Sequence, residues 1–190
     1  MAGRSDTVAS VRIEVLPIVL GALPASVWAV DYVSASEAEA LMFPQADEFA
    51  TVNLRLDNAQ LQEIGKRAGL PARSAQWGVR VARRASSPLG YVVVDNVIGK
   101  FELITYAVAV GTDGAIRQIE ILSYRESHGG EVRLPAWRKQ FIGKTVAGPL
   151  RVGDDIANIS GATLSCTHVT DGVRRIVAVL QVAHESGALP

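Results

Sequence analysis

Phe101-Glu102-Leu103-Ile104-Thr105-Tyr106-Ala107-Val108-Ala109-Val110-Gly111-Thr112-Asp113-Gly114-Ala115-Ile116-Arg117-Gln118-Ile119-Glu120-Ile121-Leu122-Ser123-Tyr124 decides the fold. Two runs rich in β-branched and aromatic residues, Phe101 to Val110 and Ala115 to Tyr124, flank Asp113-Gly114. That dipeptide tolerates the positive φ of a tight turn, so the stretch predicts an antiparallel hairpin. Working outward, Gly90 to Ile98 and Val79 to Arg83 have the same character, and the Ala85-Ser86-Ser87-Pro88-Leu89-Gly90 stretch between them reads as a loop. The result is an antiparallel meander from Trp77 to Tyr124. Ile116, Ile119, Ile121 and Tyr124 do not alternate cleanly, and Val92, Val94 and Val97 suggest a bulge near Asn96, so the pattern leaves the registers open.

A sheet with one solvated face must bury the other. Val169, Val173, Ile176, Val177 and Leu180 recur at helical spacing and predict a helix over 163–184 that covers it. Before the sheet, Ser36 with Glu39 matches a capping box and predicts a short helix to about Phe43, ended by Pro44. Asp57 with Gln60 opens a second helix in which Leu61, Ile64 and Ala68 share a face, and Gly69 with Pro71 closes it. The expected class is α+β, an antiparallel β-meander packed against helices in a single domain. Of 190 residues, 48% are hydrophobic and 20% charged, which argues for one folded core and against disorder.

Arg4 and Arg12 precede an apolar stretch from Val15 to Val27, and Val27-Trp28-Ala29 has a small-residue cleavage pattern. Residues 1–29 therefore read as a signal peptide or membrane anchor, 30–76 as a helical N-terminal segment and 77–184 as the functional domain, in an exported or periplasmic and possibly membrane-anchored protein. The formal net charge is zero and the basic pairs Arg83-Arg84 and Arg174-Arg175 stand alone, so nucleic acid is not an expected partner. Cys166 has no second cysteine to pair with and reads as a small buried helix residue.

Ile159-Ser160-Gly161-Ala162-Thr163-Leu164-Ser165 abuts the terminal helical pattern, so it forms the helix entrance. Free backbone N–H groups and the positive end of the helix dipole favour an anion there, Gly161 and Ala162 allow close approach, and the hydroxyls add donors. Upstream, Tyr124-Arg125-Glu126-Ser127-His128-Gly129-Gly130-Glu131 leads to Trp137 and then to Phe141-Ile142-Gly143-Lys144.

These segments resemble, in order and approximate distance, motifs of the FMN-binding domain family. That family includes components of two related membrane complexes, the sodium-translocating NADH:quinone reductase and the Rnf ferredoxin oxidoreductase. Its attachment motif is similar to Ser160-Gly161-Ala162-Thr163 followed by an apolar residue and a hydroxyl, and its Glu-Thr-x-Gly loop to Glu126-Ser127-His128-Gly129 with serine for threonine. The resemblance implies FMN carried as a phosphoester on Thr163, with Ser160, Gly161, Ala162, Leu164 and Ser165 around it. It also implies a FAD:protein FMN transferase that loads the flavin and a membrane redox partner. A dipole contribution of only about 0.3 to 2 kcal/mol does not retain a dissociable phosphate, whereas a covalent tether does. Glu126 and Ser127 are expected at the ring edge, Gly129 at its face, and Tyr124 either at the ring or in packing. Trp137 and Phe141, four apart, are expected to pack a short helix on the core.

One departure stands out. Ala157 occupies a position, three before Ser160, that is usually acidic in the family, with Asn158 next to it and Asp155 two residues earlier. The alternative reading is therefore a domain that binds FMN non-covalently or serves as a flavin-free scaffold of a redox complex. A hydrolase built on Ser165 and His168 is disfavoured, because neither a Gly-x-Ser-x-Gly elbow nor a Ser-x-x-Lys pair accompanies them. His128, His168 and His184 match no metal-ligand spacing.

Overall fold

In the computed structural model, which describes residues 30–190, the Phe101–Tyr124 stretch forms the expected hairpin of β5 (Leu103–Gly111) and β6 (Ile116–Tyr124). Gly111 N–H donates to Ala115 O at 2.9 Å and Gly114 adopts φ 77°, closing a three-residue loop around Asp113. Four more strands complete an antiparallel sheet: β1 (Val30–Asp31), β2 (Glu48–Arg55), β3 (Gln76–Arg84) and β4 (Ser87–Ile98), in the order β1-β6-β5-β4-β3-β2. The meander runs through β3 to β6 as expected. The proposed leader lies outside the described residues.

The broken alternation in β6 has a physical cause. The β5–β6 register shifts between Thr105 and Tyr106 and again between Ala109 and Val110. These two bulges turn Ile116, Ile119, Ile121 and Tyr124 onto one buried face and leave Leu122 on the other. The bulge expected near Asn96 is absent: β4 and β5 pair without interruption from Gly90↔Gly111 to Ile98↔Leu103. The Ala85–Gly90 loop shrinks to Ala85 and Ser86, and Ser87 already pairs with Arg84.

α2 (Asn58–Ala68) begins at Asp57, whose carboxylate accepts from Gln60 N–H at 2.8 Å while Gln60 Oε1 accepts from Asp57 N–H at 2.9 Å. Gly69, at φ 62°, ends it. α1 (Ala35–Met42) is capped earlier in the chain than expected, by Ser34 and Glu37. Glu39 is not a cap; it is buried against the sheet, where Arg80 grips its two oxygens at 2.9 and 3.2 Å. The segment expected to be helical also contains β2, which pairs along its length with β3.

α4 (Thr163–Glu185) and α2 cover one face of the sheet in the larger core, while α1 packs Ala38, Met42 and Phe43 against Ala82, Val92, Ala107, Ala109 and Leu122 on the other. Helices therefore lie on both faces, not one, because small residues on β3 and β5 admit α1. Val169, Val173, Ile176, Val177 and Leu180 are all buried beneath α4, each contributing up to about 1.5 to 3 kcal/mol. Gly172 lets the helix approach: a Cβ there would lie 2.9 Å from Tyr106 Cζ and overlap its hydroxyl, which donates to Asp95 at 2.9 Å.

Candidate functional site

Three segments meet at one end of the sheet. β4 ends there, β5 starts there and β6 ends there, so the Gly99–Glu102 hairpin tip faces the loop after Tyr124; α4 also begins at this end. A groove of about 530 Å³ runs between Lys100–Phe101, the loop residues Glu126 to Gly129 with Glu131, and Ser160 to Ser165. That volume lies within the range of small-molecule sites, roughly 300 to 1,000 Å³. Nine of the ten residues expected at the site from sequence line this groove; Tyr124 does not.

The helix entrance takes its shape from Gly161, in the left-handed region at φ 83°, and from Ala162 N–H, which donates to Ile159 O at 3.0 Å. Ala162 is the N-cap and no side chain caps α4 among the described residues. The first helical hydrogen bond runs from Cys166 N–H to Ala162 O, so the N–H groups of Thr163, Leu164 and Ser165 precede the helical ladder. Thr163 and Leu164 are exposed, and Thr163 Oγ1 accepts from Asn158 Nδ2 at 3.0 Å.

Tyr124 joins the loop to the helix from below. It is buried, donates to His128 O at 2.5 Å, and its oxygen therefore accepts from Ser165 Oγ at 3.1 Å. Burial pushes its pKa up, so it stays a donor. Gly129 serves the same junction: at φ 84°, a Cβ on it would lie 2.9 Å from Ala162 Cβ and 2.8 Å from the Tyr124 oxygen. Loop and helix entrance thus touch through a glycine, and Ser165 is a brace rather than a free hydroxyl.

Glu126 is likewise engaged. Its Oε1 accepts from the backbone N–H groups of Lys100, Phe101 (2.6 Å) and Glu102 (2.9 Å). Desolvation opposes ionisation, but these N–H groups and Lys100 outweigh it and hold the carboxyl below the ordinary glutamate range. From the other side, His168 Nδ1 donates to Ile98 O at 2.6 Å and to Gly99 O at 3.0 Å, which fixes the proton on Nδ1. The hairpin tip is fastened twice and presents Phe101, 74% exposed, to the groove with Lys100 Nζ 4.9 Å from its ring centre. With His168 bonded to carbonyls and Ser165 to Tyr124, the pair does not form a nucleophile and base.

Sequence reasoning missed Lys100, Phe101, His128 and Glu131. Phe101 continued a strand pattern, and only the fold shows it at a hairpin tip.

The Trp137 to Lys144 segment is structural. Around α3 (Pro135–Arg138), Trp137 and Phe141 are buried with ring centres 5.0 Å apart. Trp137 Nε1 donates to Ala157 O at 2.9 Å, and Gln140 Oε1 accepts from Ala157 N–H at 2.8 Å. Asp155 does not replace an acid at position 157: its carboxylate pairs with Lys144 Nζ at 2.9 Å and accepts from Arg151 N–H at 2.9 Å. Those contacts lower its pKa against the opposing effect of burial.

Residues 99–178 match the FMN-binding domain family, which bears out the resemblance read from the motifs. The chain is 30% identical over 161 residues to the C-subunit of the Na(+)-translocating NADH-quinone reductase of Vibrio vulnificus strains YJ016 and CMCP6, an alignment covering 66% of this chain and 62% of each relative. It thus spans under two thirds of those relatives' length. Its fold is shared with the crystal structure of Shewanella oneidensis NqrC, at TM-score 0.51 and 16% identity, over 80% of this chain and 90% of that one.

Proposed function

From the likeness of residues 99–178 to the FMN-binding domain family we propose that this protein is an electron-carrying flavoprotein, with FMN esterified through its phosphate to Thr163. The observation that carries the reading is the position of Thr163: an exposed hydroxyl on an uncapped helix entrance, opening on a groove of suitable size. The residues fit the group. Phe101 and Leu164 offer apolar surface for the ring, Ser127 and the loop backbone offer polar partners at its edge, and the first-turn N–H groups suit the phosphate. When bound, the isoalloxazine supplies the redox chemistry; the protein fixes it, excludes water from one side and leaves an edge for partners.

In loading, Thr163 Oγ1 gains a bond to the flavin-side phosphorus of FAD as the diphosphate P–O bond breaks. AMP leaves with the bridging oxygen, and the hydroxyl proton passes to a base of the FMN transferase. The Asn158 amide, already bonded to Thr163 Oγ1, leaves that hydroxyl's own proton free to depart. We place the protein outside the cytoplasm beside a membrane redox complex, on the strength of the apolar stretch at 15–27 and the likeness to a component of a sodium-translocating reductase. Among the described residues no helix is long and apolar enough to cross a membrane.

A second reading, non-covalent FMN binding, is favoured by one observation: the acidic residue usual at position 157 is alanine and Asp155 is committed to Lys144. The test is the intact mass of protein made in an exporting host with an active flavin transferase, followed by peptide mapping. A gain of FMN minus water on Thr163, lost in Thr163→Val, supports the ester. Flavin that stays with the Thr163→Val protein after denaturation assigns the ester elsewhere, and flavin released from the wild type by denaturation leaves the non-covalent reading.

A further inference from the structure

A smaller hollow, of about 250 Å³, lies between α4, the end of β4 and the chain that leaves α2. It exists because two strands part: β3–β4 pairing stops at Arg80↔Val92, although β3 begins at Gln76 and β4 runs on to Ile98. Arg73 crosses the gap and donates from Nη1 to Asn96 O at 2.7 Å. On α4, His168, Asp171 and Arg175 recur at spacings of three and four, so they share the helix face that lines the hollow. We propose that the hollow is a carboxylate-binding site, in which the guanidinium groups of Arg73 and Arg175 clasp one acid group. None of its residues lines the Thr163 groove, so the site stands apart from the flavin reading.

Arg175 is the strongest indication. It is 8% exposed, yet its one hydrogen bond among the described residues runs from Nε to Pro71 O at 3.0 Å. Nη1 and Nη2 have no partner there and are not sealed off, unlike Ser123 Oγ, Thr170 Oγ1 and Arg174 Nε. Four N–H donors therefore open on the hollow that the residue lines. Burial pushes the Arg175 pKa down, and the charge of Arg73 pushes it further in the same direction. The nearby acids are already engaged. Asp95 accepts from the Tyr106 hydroxyl at 2.9 Å and stands 3.8 Å from Arg73 Nη1, while Asp171 Oδ1 accepts from Arg174 Nη2 at 3.0 Å. Two like charges thus converge on a half-desolvated space, and an anion between them relieves both.

Charge and size select the ligand. Arg73, Arg174 and Arg175 against Asp95 and Asp171 leave one positive charge in excess, which suits a single carboxylate. The planar fork of arginine matches the two oxygens of that group. The volume falls below the roughly 300 to 1,000 Å³ of drug-sized sites, so the acid is carried on a short chain. Val97 and Ile98 supply an apolar wall for its methylenes. Two sources offer this chemistry, a free short-chain acid and a glutamate side chain on a docking protein.

The site is tested on the full chain by NMR of backbone amides and arginine Nε–H groups at constant ionic strength. The probes are acetate and N-acetyl-glutamic acid methylamide, with chloride as the control anion. Both carboxylates are expected to shift the Arg175 Nε–H and the His168 to Arg175 amides saturably. Arg73→Gln, at a half-exposed position outside the core, should bind them roughly tenfold more weakly, and Arg73→Lys, which keeps the charge, should recover part of the loss. Arg117→Gln, on β6 away from the hollow, and Thr163→Val, which removes the flavin acceptor, should both match the wild type. Carboxylate shifts that are absent, equally produced by chloride, or undiminished in Arg73→Gln overturn the proposal. Tighter binding of the glutamate derivative supports the site as a seat for a partner's side chain, and tighter binding of acetate supports it as a site for a free acid.

Discussion

Glu126 illustrates how a site residue acts through another segment. With three backbone N–H groups on one oxygen, its carboxylate shapes the hairpin tip that presents Phe101. Replacing it by glutamine removes the charge from these hydrogen bonds, and charge-assisted bonds are worth about 1.5 to 3 kcal/mol. The Lys100, Phe101 and Glu102 amides should exchange roughly tenfold faster in Glu126→Gln at neutral pH, while those of β6 stay unchanged. The sign with pH follows from the lowered pKa: the contribution is present in full above the ordinary glutamate value of about 4.3 and disappears as pH falls through the lower folded value. Wild type and variant should therefore converge in acid, as urea melts along a pH series will show. At position 157 the alanine side chain is exposed and its backbone is fixed by Trp137 and Gln140, so Ala157→Asp is structurally tolerated. It should raise flavin occupancy by the transferase without altering the melting temperature; occupancy that does not change would mean that the missing acid is immaterial.

At the scale of elements, the packing of α4 on β5 turns on a glycine. Gly172→Ala inserts a methyl into the Tyr106 hydroxyl and must lift the helix or displace the phenol from Asp95. Overpacking of this kind costs about 1 to 3 kcal/mol, and removing the hydroxyl with Tyr106→Phe should recover part of it in the double variant, as measured by urea denaturation. Much of this level was legible beforehand. Asp113-Gly114 announced the β5–β6 hairpin, Asp57 and Gly69 bracketed α2, and the apolar stripe of α4 gave its length to within one residue. β2 went unread although Val52, Leu54 and Leu56 carry a period of two, since its flanking helices set the reading of the whole segment. Ser36 and Glu39 have the same spacing as Ser34 and Glu37; the choice falls to the buried pair of Glu39 with Arg80, a contact across 41 positions. The same limit hid Glu126 and His168 as clamps. A side chain's partner on a distant loop leaves no trace in local spacing.

Over the whole molecule, the architecture concentrates chemistry at one end. β4, with twelve residues, and α4, with twenty-three, are each about 35 to 40 Å long, so one helix spans the sheet from the groove to the far rim. Both motifs that pointed to a flavin lie at the near end because an antiparallel meander returns every second connection to the same side. The far rim holds the β3–β4 turn, where Ala85 and Ser86 sit at φ 47° and 68° between the paired Arg84 and Ser87. Each such left-handed residue with a Cβ costs about 1 to 2 kcal/mol. Writing Asn-Gly at 85 and 86 should raise the urea midpoint and leave flavin occupancy untouched, as paired melts and absorbance spectra will establish. The fold thus keeps a reserve of thermal resilience in a turn remote from the groove. A lineage, or an engineer, can draw on it to tolerate disruptive changes around Thr163 that a less forgiving scaffold would not survive.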